Sequence, residues 1–532
     1  MRSHPQGLTQ VERPRADNDD RLMDFTSQVN VGEPAPSSAH GKFALLGRGS
    51  LYNLLSFIVP LAVALVATPY VLHGFGPARF GLLTLVWLLV GYLSVFDLGL
   101  ARATTRFVAE LLEHGQETEI PIVAWSSALM IAMLGLCLST LAQLFVGPLA
   151  SVLVAGSEVP QLEAQTVLSW AFWSLPLLMV MAVARGVLEA EGRFGTPSAV
   201  RIVLAVAVFL VPVATLAWSR SLVAPVVILI LLRVVMTAIL AYLAIAGSLA
   251  PRFSRKWARL LARYGGWVAL NNVLTPTVIY GDRVVIASTL GSSAVAYYAP
   301  AFEVVNRLLL VPTAIITILF PALSRSLVAG RVAEARRAFE ETLELLGLVF
   351  IPVGVLLLAN AEQGLSFWLG DQYASVALVP LQILTVGIVL QAYGAVGTAL
   401  LQASKSFSAP SRIQLWLLLP YLVVLVALTG TFGLIGAALA WSSRALVEAI
   451  WLTLFIRRTA GTGPRMIEVR SALLVLLAVL GGIAVGWATR DVRVPMSLLV
   501  AVALGVGWLR YVVAQRTIVL LRSAAGTFAI RK

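Results

Sequence analysis

About fourteen long apolar stretches, separated by short loops, run from Ser50 to Ala514, and they decide the class of the molecule. A helix needs about 20 apolar residues to cross the hydrocarbon core of a bilayer, and only helices and closed barrels satisfy their backbone there. The runs are continuous rather than alternating, so they predict an all-α polytopic membrane protein and not a barrel. They occupy residues 50–72, 80–98, 122–146, 165–184, 198–217, 222–246, 265–287, 294–322, 342–361, 375–401, 411–429, 433–456, 471–488 and 495–514. Composition agrees: 59% of the residues are hydrophobic and only 12% charged, which suits no soluble surface.

Residues 1–48 differ in kind. They are rich in Pro, Asp, Arg, Ser and Gln, with six acidic and six basic side chains, and read as a disordered cytoplasmic tail. No apolar region with a cleavage site follows Met1 directly, so no signal peptide is expected. With both termini cytoplasmic, thirty-one Lys and Arg fall on the inner side, against Arg79, Arg220, Arg490 and Arg493 outside. The positive-inside rule selects this orientation. The net charge of +13 then marks the face towards anionic membrane lipids and needs no nucleic acid to explain it.

Several chemistries are absent from the chain. A single cysteine, Cys137, excludes an intramolecular disulfide, and His4, His40, His73 and His114 have no ligand spacing, so neither a metal nor a cofactor is expected. No GxxxxGK[ST] loop occurs, and none of Lys42, Lys256, Lys405 and Lys532 follows one, so the chain carries no ATPase of its own. GFGPARFG (Gly74–Gly81) lacks the strand-to-helix setting of a dinucleotide site and reads as an outer turn. The outer loops are short, and Gly147–Ala164, the longest, holds only Glu158 and Glu163 as charges. A membrane glycosyltransferase or polymerase usually needs a sizeable outer loop with catalytic groups. Transport is favoured over catalysis.

The spans divide into an N-terminal lobe of six helices (49–247), a connector (248–264), a second lobe of six (265–458), and two further helices with a cytoplasmic C-terminus (459–532). In the connector, Arg252, Arg255, Lys256, Arg259 and Arg263 share one helical face, with Phe253, Trp257, Leu260, Leu261 and Tyr264 on the other. This pattern predicts an amphipathic helix lying on the inner leaflet. Gly76 and Gly291 each centre a short turn between helices and superpose at an offset of 215 residues. Six helices per lobe is an even number, so the lobes would be related by a parallel pseudo-two-fold axis along the membrane normal, around a central cavity. Pro60 and Pro69 in the first helix and Pro276 in the seventh remove backbone hydrogen bonds and predict bends.

Three segments carry a family resemblance. FDLGLARATTRFVAE (Phe96–Glu110), the run Tyr280–Arg325 and FWLGDQY (Phe367–Tyr373) resemble Wzx-type oligosaccharide flippases of the multidrug, oligosaccharidyl-lipid and polysaccharide (MOP) exporter superfamily. The resemblance implies alternating access in a bacterial plasma membrane. It also implies the carriage of a polyprenyl-pyrophosphate-linked oligosaccharide from the inner to the outer leaflet, alongside polymerase or glycosyltransferase machinery. A flippase for the peptidoglycan lipid precursor, a multidrug exporter of the same superfamily and a membrane glycosyltransferase or polymerase remain the alternatives. An acidic cavity would suit the multidrug exporter, and four intramembrane arginines argue against it.

Charges at bilayer depth cost at least ~2.5 kcal/mol each, so those retained are candidates for function. Arg233, Arg283, Arg307 and Arg444 lie within the spans and are the candidate phosphate ligands, because guanidinium meets phosphate oxygens bidentately and stays charged. Glu303 with Arg307 and Arg444 with Glu448 are i,i+4 pairs, for which a structural clip is the competing reading. Asp282 and Arg283 diverge by about 100° around their helix and are not expected to point together. Asp282, Glu303, Glu448 and Asp97 are the candidates for ion coupling or gating, with charge balance the competing reading. Asn53, Asn271 and Asn272, in the first and seventh helices, are candidates for sugar hydroxyls, equally matched by a role in helix–helix contact.

Overall fold

The computed structural model describes residues 39–94, 99–245, 253–404, 409–460, 497–508 and 510, by backbone alone at 39–57, 92–94, 263–279, 411 and 457–460. The tail before Ala39, Asp97, Arg252 and the span 471–488 lie outside the described residues, as do the side chains of Asn53, Asn271 and Asn272. Residues from Leu55 onward form one compact unit, and all that follows concerns that unit.

Every element among the described residues is helical. The first half comprises α1 (Ala39–Ser94), α2 (Leu100–Glu113), α3 (Ile120–Gln143), α4 (Val146–Leu153), α5 (Gln161–Trp173), α6 (Leu175–Ala190), α7 (Gly195–Thr215) and α8 (Val223–Ala244). The second comprises α9 (Arg255–Leu290), α10 (Ser292–Asn306), α11 (Leu310–Val328), α12 (Val332–Leu369), α13 (Asp371–Ala403) and α14 (Ala409–Ala460), followed by the apolar helix α15 (Ser497–Trp508). Nine stretches among the described residues are long and apolar enough to cross a membrane. Two of these, Ile58–Gly91 and Arg412–Ile456, are broken by a glycine in a non-helical conformation, Gly76 and Gly433, and each holds two of the expected spans.

Those breaks follow from glycine chemistry. Gly76 (φ 81, ψ 163), Gly291 (φ 86, ψ 168) and Gly370 (φ 95, ψ 162) adopt the same backbone conformation, one closed to residues with a Cβ. A single residue therefore ends one helix and starts the next, and Pro77, in the first helical position after Gly76, loses no hydrogen bond by lacking an N–H. Close packing joins these turns to their neighbours. A Cβ on Gly81 would fall 1.8 Å from the Ser292 carbonyl oxygen, so α1 and α10 meet backbone to backbone at this end.

Prolines within spans leave carbonyls without their helical donor, and neighbouring helices supply one. Pro176 leaves the Phe172 oxygen, which accepts from Ser139 Oγ at 2.8 Å, and the fourth span splits there into α5 and α6. Pro69 leaves the Leu65 oxygen, which accepts from the Trp368 indole N–H at 2.6 Å. The second contact joins α1 to α12.

The connector differs from its expected form. Residues 255–264 are the first turns of α9, continuous with the seventh span. Two of their apolar side chains pack on protein: Leu261 is fully buried, and Trp257 stacks edge-on against Phe107 while its N–H donates to Glu119 at 2.8 Å. Glu119 is the acceptor that draws this tryptophan inward. The loop 147–164 likewise contains a helix, α4.

Candidate functional site

The candidate site is built on the hairpin of α9 and α10. Gly291 turns the chain so that Tyr280, Asp282 and Arg283 on α9 lie beside Tyr298, Phe302 and Glu303 on α10. Arg307 opens a short 3₁₀ turn, Arg307–Leu309, between α10 and α11. Pro312 explains that tightening, since it cannot bond the Leu308 carbonyl.

Asp282 and Arg283 are almost wholly buried, and they meet, against the expectation from their 100° divergence. Arg283 folds back along its own helix, so that its Nη1 lies 3.3 Å from Asp282 Oδ1 and its backbone N–H donates to the same oxygen at 2.8 Å. A guanidinium on a three-carbon stem reaches across an angle that a short side chain does not. Tyr298 donates its hydroxyl to Asp282 Oδ2 at 2.8 Å. The guanidinium also lies 4.5 Å from the Phe302 ring and 5.1 Å from that of Tyr280, at distances where ring faces attract cations.

Glu303 joins the two arginines. Its Oε1 accepts from Arg283 Nη2 at 3.0 Å, and its Oε2 lies 3.6 Å from Arg307 Nη2. Two anions and two cations thus balance. Exposure divides them sharply: the Arg283 side chain is 2% exposed, and those of Glu303 and Arg307 are 41% and 46% exposed. Arg307 is the cation presented outward, held by a loose pair, and Arg283 anchors the carboxylate that holds it.

These groups open on a cavity of about 510 Å³, within the usual range for ligand sites. One wall carries Tyr280, Arg283, Glu303 and Arg307; the other, from α1 and α7, carries Thr68, Thr84, Trp87 and Phe209 among apolar residues. Trp368 also lines it.

The remaining predicted residues lie elsewhere. Arg444 is buried in α14 and paired with Glu448, while its Nη2 donates to Gln391 at 2.7 Å and Gln414 donates to Glu448 at 3.1 Å. Tyr421 and Trp441 flank that guanidinium, and neither Arg444 nor Glu448 lines the cavity. Arg233 on α8 donates to Ser174 Oγ at 3.3 Å and is also outside it. Sequence reasoning missed Tyr298, Trp87, Phe209 and Trp368. It also missed Glu163, whose carboxylate accepts from Arg79 and from the Leu222 backbone N–H at 2.8 Å. No periodicity distinguishes a cavity-facing aromatic from a lipid-facing one in a helix that is apolar all round.

Comparison with known proteins places the family and the fold. The profile of the family described as polysaccharide biosynthesis protein matches residues 75–378, more than half of the chain. A Shigella flexneri protein whose name assigns it O-antigen transport is 27% identical over 411 residues, covering 76% of this chain and 96% of the relative. Among solved structures, the lipid II flippase MurJ in an inward closed conformation superposes with a TM-score of 0.65 at 16% identity, covering 88% of this chain and 99% of its own. An inward-facing multidrug resistance transporter of the MATE family superposes with a TM-score of 0.62 at 17% identity, covering 76% and 99%. The chain belongs to the polysaccharide biosynthesis protein family and has the fold of the MOP superfamily of flippases and exporters.

Proposed function

We propose that this protein is a flippase that carries a polyprenyl-pyrophosphate-linked oligosaccharide across a bacterial plasma membrane by alternating access, without chemical change to its cargo. The observation that carries the reading is the charged wall of the cavity. Arg307 presents a guanidinium to the cavity from a membrane-crossing hairpin, steadied by Glu303 and, behind it, Arg283. Such a fork suits the oxygens of a pyrophosphate, and its charge does not vary with pH. The family and the O-antigen relative support the class of cargo. In this reading Arg444 with Glu448 is an internal clip, because both lie outside the cavity and satisfy one another. The glycine-turn end faces outward, since thirty-one Lys and Arg then lie inside.

The test is reconstitution. Purified protein in liposomes should move a fluorescent polyprenyl-pyrophosphate oligosaccharide between leaflets, followed by quenching from one side, with no change in the mass of the lipid. Growth, transfer or release of the glycan in that assay overturns the reading.

A further inference from the structure

We infer that the α1–α7 wall of the cavity is a carbohydrate subsite, with the Trp87 ring as the platform on which a sugar ring stacks. This rests on the flippase reading above and adds a division of labour to it: one wall holds the anion, the other reads the glycan.

Every charged residue of the cavity comes from α9, α10 or the turn after α10, and none from α1 or α7. The opposing wall is not merely greasy. Trp87 and Phe209, both lining the cavity, meet edge to face at a centroid distance of 5.8 Å, which holds the indole in place. The Trp87 indole N–H is buried with no hydrogen-bond partner among the described residues and is closed to a ligand in this conformation, so the ring, not the N–H, is what Trp87 offers the cavity. Thr84 donates its hydroxyl to the Phe80 oxygen at 2.9 Å, and Thr68 donates to the Ala64 oxygen at 2.6 Å. Both protons are spent on the helix, so each oxygen presents lone pairs only. The Glu303 carboxylate is a further acceptor across the cavity.

One aromatic ring and several acceptors match a ring whose faces are C–H and whose edge is hydroxyl. A polyprenyl chain has apolar faces but no hydroxyl to offer. It would leave the threonine oxygens as they are.

The experiment uses the full-length protein in detergent and two probes: a short polyprenyl pyrophosphate bearing one N-acetylhexosamine, and the same lipid without sugar. Binding is measured by calorimetry, beside thermal unfolding of each variant. The wild type should bind the glycosylated probe about ten-fold more tightly, the upper end for one aromatic stacking contact. Trp87→Leu should bring the two affinities together by weakening the glycosylated probe alone, and Trp87→Phe should keep part of the preference. Thr84→Val, nearly equal in volume, should lower the preference without changing the melting temperature, and it decides the matter if Trp87→Leu does not fold. Arg307→Gln should weaken both probes alike. An unchanged preference in Trp87→Leu or, where that fails to fold, in Thr84→Val overturns the subsite, as does a wild type that binds both probes equally. Equal weakening of both probes by Trp87→Leu assigns the wall to the polyprenyl chain instead. A wild type that binds neither probe overturns the flippase reading itself.

Discussion

Arg283 and Arg307 bear the same charge in opposite circumstances, and substitution should separate them. Arg283 is the cation of a buried pair, so Arg283→Gln strands Asp282 in the interior and should cost about 3–5 kcal/mol of stability. Thermal unfolding in detergent reads this as a marked fall in melting temperature. Arg307 is 46% exposed and loosely paired, so Arg307→Lys should melt like the parent. It keeps a charge but loses the planar fork, and transport should fall at matched membrane levels. A double Glu303→Gln, Arg307→Gln variant that transports normally would show the pair to be only a clip. Both arginines were legible in the sequence as charges at bilayer depth, and so was the i,i+4 spacing of Glu303 and Arg307. The bridge from Glu303 to Arg283 was not legible, because it depends on the register of two helices across Gly291. That register is set by packing between elements, which no local pattern records.

At the scale of elements, the contact between α1 and α12 ties a proline to a tryptophan about three hundred residues away in the sequence. Pro69 lacks the N–H that would bond the Leu65 oxygen, and the Trp368 indole takes its place at 2.6 Å. Removing the indole donor with Trp368→Phe takes that bond away and should destabilise this conformation by about 0.5–1.5 kcal/mol. Pro69→Ala restores a donor on the same helix, so the identical tryptophan substitution should cost far less in that background. A double-mutant cycle on melting temperature measures the coupling, and simple additivity would show that proline and indole act independently. The glycine turns invite a companion test. Gly291→Ala forces a Cβ into a conformation reserved for glycine and should cost about 1–3 kcal/mol, whereas Gly354→Ala, at an open position in α12, should not. The turn at Gly76 and its likeness to Gly291 were readable from spacing. The identity of the donor to Leu65 was not, since it comes from three hundred residues away.

At the scale of the whole molecule, the hydrophobic pattern specified most of the architecture. Twelve of the expected fourteen spans fall on described helices, and a thirteenth overlaps Ser497–Trp508, because a run of apolar residues long enough for a bilayer admits few alternatives. The pattern did not show that residues 255–264 run on into α9 or that Trp257 and Leu261 pack on protein, because an apolar face does not say what covers it. Sidedness is the remaining property of the whole fold, and basic residues argue it. The end carrying Gly76, Gly291 and Gly370 should face outward. Two exposed positions at opposite ends provide the test: Glu158, in the loop after α4, and Glu117, between α2 and α3. Cys137 is itself exposed, so the background should be Cys137→Ala. In intact cells, an impermeant maleimide should label Glu158→Cys and spare Glu117→Cys until the membrane is permeabilised. Ser292 is a poor probe for this purpose, being buried against α1. The reverse pattern of labelling would invert the molecule in the membrane. The Lys and Arg of its loops would then lie outside, and the outward direction of transport proposed above would fall with the topology.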